Sequence, residues 1–454
     1  MTRREIIKLL MAYGLASLVD LQASELKGKK IVIVGAGTGG LICVALFKQL
    51  SPHLELVVIA PNDKHIYQAG QTFIAAGLMK EEEIVFPTKV FLKDTKWIKE
   101  SVKSFEPDSN YVLCEDNQKV FYDYLIVAMG LEYNYEKIKG LKKEDIGSNG
   151  ITSVFLNDLK EGSFKGATYT AAWFESIREK AEKQKVKVLF THPYGAIKCG
   201  GASTSIMSLL VDYLKGNSPK GGKDLSTNVE LIFAKPGTKI FGVGKYNEVL
   251  MENASFLGIK IKFNHVLHEV DIKNKLAFFE HKYKVKGMYD EDFDEWEIIS
   301  KQKEVSLSYD FIHITPPMQA VSVLSKSKLA KKQGLQVGYC EVDRSSLQHI
   351  RYENVFSVGD SAAVPLGKTS AAAASHAKIA VQNILNIIKK EKFINFDGYS
   401  SCPIKLSYKK VLFTEFNYEG YTEYKIKNPK QARMSLFRYD LEDLPKLYWK
   451  SIGI

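Results

Sequence analysis

Five cysteines stand in the 454 residues, at Cys43, Cys114, Cys199, Cys340 and Cys402. Their wide dispersal suits neither a disulfide scaffold nor a metal motif. Cys199 has neighbours that suggest chemistry. It lies in Lys198-Cys199-Gly200-Gly201-Ala202, after the hydrophobic run Val186 to Phe190 and before Ser203 to Leu214, which has helical apolar spacing. A β-branched run bounded by Pro193 reads as a buried parallel strand. Cys199 then sits on a loop at the carboxyl end of a strand, where open α/β sheets bind ligands. The glycines admit close approach to the backbone. The following helix start and Lys198 both favour a thiolate. A small buried hydrophobe is the competing reading for a free cysteine. Nearby His192 is either a proton-transfer group or a structural histidine.

A second chemistry is written in glycines. The strand Lys30 to Val34 runs into Gly35-Ala36-Gly37-Thr38-Gly39-Gly40 and then an apolar helix. Gly35 allows a tight turn, Gly37 lets a pyrophosphate touch backbone, and Gly40 lets helix and strand pack closely, while the helix start at Thr38 offers N–H donors to phosphate. The acidic residue that usually ends the second strand is replaced by Ala60, so either Asp63 substitutes or the ribose is held otherwise. Two later stretches resemble those of flavin disulfide-reductase-type proteins: Tyr124 to Val127 followed by Ala128-Met129-Gly130, and Asn354 to Val358 followed by Gly359-Asp360. Taken in this order, the motifs imply FAD. After Asp360, Lys368 and Thr369 precede an alanine-rich helix, Ala371 to Ile387, whose start would stabilise negative charge on a reduced flavin. The strand before Cys199 lacks a second glycine triad, so a nicotinamide donor is not expected.

The elements that must position these groups follow. Residues 1–27 carry Arg3-Arg4 before a modest apolar stretch, as a twin-arginine export signal does; a plain amphipathic helix is the alternative. Residues 28–135 and 333–392 form a discontinuous FAD-binding domain. Residues 136–332 form a second Rossmann-like domain carrying the redox cysteine. Within it Lys282 to Glu304 is mixed-charge and reads as a solvated hairpin or loop. Residues 393–454 form a C-terminal region in which Leu436, Phe437, Leu441, Leu444, Leu447, Tyr448 and Trp449 mix with Arg433, Arg438, Lys446 and Lys450. Apolar and aromatic groups among cations suit a helix lying on a membrane; a helix docked on the core is the alternative. The net charge of +11 favours anionic partners such as a lipid surface or a small anion. No aromatic-interleaved basic array or zinc spacing argues for nucleic acid, and no metal site is expected.

Nearly everything after residue 28 resembles the sulfide:quinone oxidoreductases, in the type found in mitochondria and some bacteria. The resemblance rests on Gly35 to Gly40, Lys198 to Ala202, Phe241 to Tyr246, His313 to Met318, Leu347 to Phe356, Lys368-Thr369 and Tyr399 to Pro403. It implies tandem Rossmann-like α/β domains of the flavin disulfide-reductase type with a C-terminal membrane-associating segment. It implies a redox disulfide of Cys199 with Cys402 beside FAD, Cys199 facing the flavin, oxidation of sulfide to sulfane sulfur or polysulfide, and a quinone reached from the membrane. His65 to Gln68 contains no cysteine for covalent attachment, so the FAD is expected to be noncovalent. Gly338 to Asp343 resembles instead the flavoprotein subunit of flavocytochrome c sulfide dehydrogenase, where the matching cysteine is the redox partner. Cys340 is thus a rival to Cys402, with a cytochrome as the alternative electron acceptor. The expected location is the periplasmic face of a bacterial cytoplasmic membrane, held peripherally, and a homo-oligomer is compatible with the sequence.

Overall fold

The computed structural model describes residues 28–50, 54–157, 165–195, 197–290, 295–422, 428 and 431–453. The export-signal expectation lies outside them.

The described residues open with β1 (Lys30–Val34), α1 (Thr38–Leu50), β2 (Glu55–Ile59), β3 (Lys96–Ile98) and β4 (Tyr124–Val127). The chain then builds β5 (Ile151–Thr152), α2 (Lys165–Ala181), β6 (Val186–Thr191), α3 (Gly201–Leu214), β7 (Val229–Lys235) and β8 (Lys260–Phe263). The mixed-charge stretch is a long antiparallel hairpin of β9 (Leu276–Asp290) and β10 (Glu295–Ser308), and β11 (Phe311–His313) follows. The chain closes with β12 (Val355–Ser357), α4 (Ser370–Lys389), the antiparallel pair β13 (Ser400–Ser407) and β14 (Lys410–Asn417), then α5 (Met434–Arg438) and α6 (Leu444–Ser451).

Two parallel sheets result. The first has the order β12-β4-β1-β2-β3, so a strand from the end of the chain completes a sheet begun at its start. The second has the order β5-β11-β6-β7-β8. Residues Ile31 to Val34 of β1 and Val188 to Phe190 of β6 are buried throughout, as strands covered on both faces must be. In each sheet the strand that leads into a candidate loop, β1 or β6, lies between neighbours reached in opposite directions. That is the switch point at which a crevice opens.

Gly35 takes φ +111°, and a Cβ there would lie 2.3 Å from the Ala128 carbonyl oxygen; one on Gly40 would lie 2.0 Å from the Gly35 oxygen. No larger residue closes this turn. Helices α1 and α4 pack together over the first sheet, with Ala374, Ala377 and Ala380 in that core. Thr369 caps α4 by accepting the Ala372 N–H at 3.1 Å, which satisfies a donor that a bare helix start leaves unpaired.

The tail corrects one expectation. The apolar groups assigned to a membrane face inward: Leu436, Phe437, Leu444 and Leu447 join Phe73, Val411 and Phe413 in one core cluster, and Tyr448, Trp449 and Ile452 join the core of the first sheet. The outward stripe is Met434, Arg438, Glu442, Lys446 and Lys450, spaced every four residues so that one helical face carries them. Among the described residues no helix is long and apolar enough to cross a membrane.

Candidate functional site

Cys199 is the last non-glycine residue before α3 turns. It adopts φ +48°, a left-handed conformation that costs roughly 1–2 kcal/mol for an L-residue with a Cβ. Two hydrogen bonds hold it there: its N–H donates to the Lys368 carbonyl at 3.1 Å, and its own carbonyl accepts the Ala202 N–H at 2.8 Å. The first ties the cysteine loop to the loop before α4. Strain held this firmly at a partly exposed cysteine makes Cys199 a candidate for function.

Strand β13 brings the second cysteine to the same place. A Cβ on Gly201 would fall 2.9 Å from Cys402 Sγ and from Ile404 Cγ1, so the glycine is what lets β13 lie against the first turn of α3. The Gly201 backbone N–H works against the rise in the Cys402 pKa. Further along, the Lys405 N–H donates to Ser205 Oγ at 3.1 Å and the Tyr408 N–H to Asp212 Oδ2 at 2.7 Å, so the strand follows α3 for most of its length. Thr369 Oγ1 shares a 2.8 Å hydrogen bond with Ser400 Oγ, joining the α4 cap to the strand of Cys402. A buried ion pair, Lys405 Nζ to Asp440 Oδ2 at 3.0 Å, fastens the C-terminal segment to that strand. Cys199 and Cys402 are both thiols here.

Electrostatics separate the two sulfurs. Burial pushes the Cys199 thiol up; Lys198 pulls it back, Asp360 adds to the rise, and Lys405 acts with Lys198. Burial pushes Cys402 up to about 12, and the neighbouring Cys199 adds to this. Lys198 itself is buried, which works against its charge, yet Tyr133, Asp360 and Cys199 outweigh the burial and raise its pKa. Its Nζ lies 3.1 Å from Asp360 Oδ2, and its N–H meets Met318 Sδ at 3.1 Å.

Cys340 is placed elsewhere. It is fully buried in the core that includes Val342, Leu347 and Val355, its N–H donates to the Ser361 carbonyl at 2.9 Å, and burial pushes its thiol up to about 12 despite a bond with Ser357. Cys402 packs instead against the core around β6 and α3.

A cavity of about 1220 Å³ runs past Gly35, Gly37, Thr38, Ala128, Gly130, Gly359, Asp360 and Thr369, with Lys198 and Tyr133 on its wall. Gly37 is open toward it while Gly35 and Gly40 are closed by backbone, which is the division of labour a dinucleotide turn requires. Gly40 therefore shapes the turn without lining the cavity. Asn62 and Lys64 line it where the second strand ends; Asp63 pairs with Lys99 at 2.6 Å. Lys368 Nζ donates to the Asp360 carbonyl at 2.6 Å and the Ala362 carbonyl at 3.3 Å. It also sits 3.8 Å over the Tyr339 ring, and burial holds it down at about 8. His192 is held neutral, its pKa pushed down to about 3 by burial and by Lys235, and its Nδ1 lies 3.2 Å from the Pro193 carbonyl. Tyr133, Met318 and the Lys405–Asp440 pair were not legible as site residues, because each reaches the Lys198–Cys199 loop or the strand of Cys402 from a separate segment with no local motif. Among the described residues no cluster could hold a metal ion.

A family model described as pyridine nucleotide-disulphide oxidoreductase matches residues 29–165. A mitochondrial sulfide:quinone oxidoreductase of Dictyostelium discoideum is 34% identical over 450 residues, covering 97% of this chain and 90% of the relative. One of Mus musculus is 30% identical, covering 92% and 85%. The X-ray structure of the sulfide:quinone oxidoreductase from Aquifex aeolicus superposes with a TM-score of 0.70 at 19% identity, covering 94% of this chain and 92% of that one.

Proposed function

Because the chain belongs to the sulfide:quinone oxidoreductase family and is an FAD enzyme that oxidises sulfide with quinone, we propose that Cys199 and Cys402 form its redox disulfide. One observation carries this: Gly201 seats Cys402 Sγ on the first turn of the helix that Cys199 precedes. The FAD, when bound in the cavity, accepts an electron pair on the cysteine side and passes it to quinone. Gly35, Gly37 and Thr38 would hold its phosphates, with Ala128, Gly130, Gly359, Asp360, Lys368 and Thr369 along the rest.

The residues then act as follows. HS⁻ attacks Cys402 Sγ; a new S–S bond forms, the Cys199–Cys402 bond breaks, and its electron pair leaves on Cys199. Cys199 is the better leaving group, since the thiol of lower pKa leaves faster and Lys198 and the α3 N-terminus both stabilise its thiolate. A second HS⁻ or another small thiolate lifts the sulfane sulfur from Cys402. The two cysteine thiolates re-form their bond and release two electrons to FAD. With sulfide as acceptor, two HS⁻ give HSS⁻, one proton and two electrons, so polysulfide is the product.

We assign 28–135 with 333–392 to FAD, 136–332 to the cysteine domain and 393–454 to the quinone side. Attachment to the membrane is peripheral, through Arg438, Lys446 and Lys450 rather than through the buried aromatics. Twin-arginine export of the bacterial kind accords with Arg3-Arg4; the Dictyostelium and Mus relatives are mitochondrial. The cytochrome-reducing alternative needs Cys340 as redox partner, and the burial of that thiol in another core disfavours it.

The test is rapid mixing of sulfide with the flavin-loaded enzyme. Cys199→Ser and Cys402→Ser should each abolish flavin bleaching, and Cys340→Ser should bleach as the parent does. An inactive Cys340→Ser beside an active Cys402→Ser would overturn the pairing.

A further inference from the structure

The Tyr448 hydroxyl, carried on α6 close to the C-terminus, reaches the turn that holds the dinucleotide phosphates. It lies 2.8 Å from Thr38 Oγ1 and 2.6 Å from His65 Nε2. His65 Nδ1 in turn lies 3.0 Å from the Ala36 carbonyl oxygen. Thr38 and Ala36 belong to the glycine turn, so a residue from the tail and one from the second strand's exit, bonded to each other, both hold it.

The direction of these bonds follows from their chemistry. Burial, together with nearby Lys198, holds His65 down at about 4, so the ring is neutral and carries one proton. A carbonyl only accepts, so that proton is on Nδ1 and Nε2 is an acceptor. Tyr448 must then donate to His65, and the single hydroxyl proton of Thr38 must go to Tyr448. Thr38 therefore has no side-chain proton for a phosphate; its hydroxyl binds the tail, and the phosphates are left to the backbone N–H groups of the turn. The aromatic packing is consistent with a fixed seat: the Tyr448 ring lies 4.8 Å from that of Tyr67, and Trp449 lies 4.5 Å from Phe86 and 5.9 Å from Phe91.

We propose that α6 is a latch on the FAD turn, with Tyr448 as the positioning residue that couples docking of the tail to retention of the cofactor through Thr38 and His65. This rests on the FAD reading of the cavity. Coupling of this kind is reciprocal: whatever factor the docked tail adds to FAD affinity, bound FAD adds to docking of the tail.

Three measurements on the holoenzyme test it. Tyr448→Phe keeps the ring packing and removes both hydroxyl bonds; its FAD dissociation constant, read from the rise in flavin fluorescence on dilution, should increase roughly three- to thirtyfold, the worth of one to two net hydrogen bonds. Thr38→Val should produce a similar loss, and the double variant should be no worse than the poorer single one, because the Thr38–Tyr448 bond is lost in both. In the unaltered chain, amides of 444–451 should exchange with deuterium faster after reversible removal of FAD than before. Unchanged FAD affinity in Tyr448→Phe overturns the proposal, as does equal amide exchange in 444–451 with and without FAD. If Tyr448→Phe does not fold, the exchange comparison on the unaltered chain decides alone. A parent protein that never binds FAD would instead overturn the cofactor assignment.

Discussion

Replacing Lys198 by Met tests the electrostatic core of the site. The ammonium is mostly buried and lies 3.1 Å from Asp360 Oδ2. At the effective dielectric constant of about 20 that suits such sites, this pair attracts by about 5 kcal/mol before desolvation is counted. The same ammonium pulls the Cys199 thiol down against its burial. An opposite charge at close range shifts a titrating group by roughly 1–3 units, and each unit is about 1.4 kcal/mol, a factor of ten in thiolate stability. Lys198→Met should therefore raise the Cys199 pKa further and slow flavin bleaching by sulfide at neutral pH roughly ten- to a thousandfold. The sign is fixed: the thiolate is the productive form, so the rate lost at neutral pH should return as pH rises, and the profile should move to higher pH. Lys198→Arg keeps the charge and should keep the profile. Asp360 left buried and unpaired is a separate loss, roughly 3–5 kcal/mol of stability, read as a lowered melting temperature. Adding Asp360→Asn to Lys198→Met should recover much of that stability, measured with excess FAD, without recovering the parent profile. A Lys198→Met enzyme with an unchanged pH–rate profile would refute the reasoning.

Other outcomes follow from the same geometry. Acid precipitation should release the flavin to the supernatant, because His65 to Gln68 offers no cysteine for attachment and Cys43 and Cys114 are buried in the cores around the first sheet; flavin in the pellet would refute noncovalent binding. NADH should not bleach the flavin, because β6 runs into His192-Pro193 without a glycine cradle; stopped-flow absorbance checks this. Binding to vesicles of anionic lipid should weaken with salt and drop on changing Arg438, Lys446 and Lys450 to Gln, as a screened surface attraction requires; sedimentation unaffected by both would place the membrane contact elsewhere.

The parts legible in the sequence were those whose signal is local. A glycine that must turn beneath a neighbouring carbonyl cannot be another residue, so Gly35 and Gly40 announced the first crevice, and the β6–Cys199–α3 unit could be read from one continuous stretch. The cysteine that lies near Cys199 in space could not be read this way. Nothing in the spacing distinguishes Cys402 from Cys340 as a partner, since both are far along the chain. What separates them in space is Gly201, whose missing Cβ admits β13 and its sulfur to the helix start, and that contact is visible only once the chain is folded. Tyr133 and Lys405 are hidden for the same reason: each contributes one group across a long loop, and periodicity records nothing about such meetings.

The tail shows a sharper limit. A stripe of Leu, Phe, Tyr and Trp backed by Arg and Lys is the pattern of a helix on a lipid surface and equally of a helix on a protein core, because the hydrophobic effect rewards removal of apolar area from water without regard to what removes it. What distinguishes the cases is whether a complementary apolar surface exists within the same chain. Here it does, in Phe73, Val411 and Phe413 for the first part and in Phe86, Phe91 and Tyr67 for Tyr448 and Trp449. These residues are separated from the tail by hundreds of positions in most cases. Once they are covered, the outward stripe keeps three cations beside Met434 and Glu442, so the membrane attraction proposed for it is electrostatic and sensitive to salt, while Tyr448, part of the pattern that had suggested lipid, bonds Thr38 of the glycine turn instead.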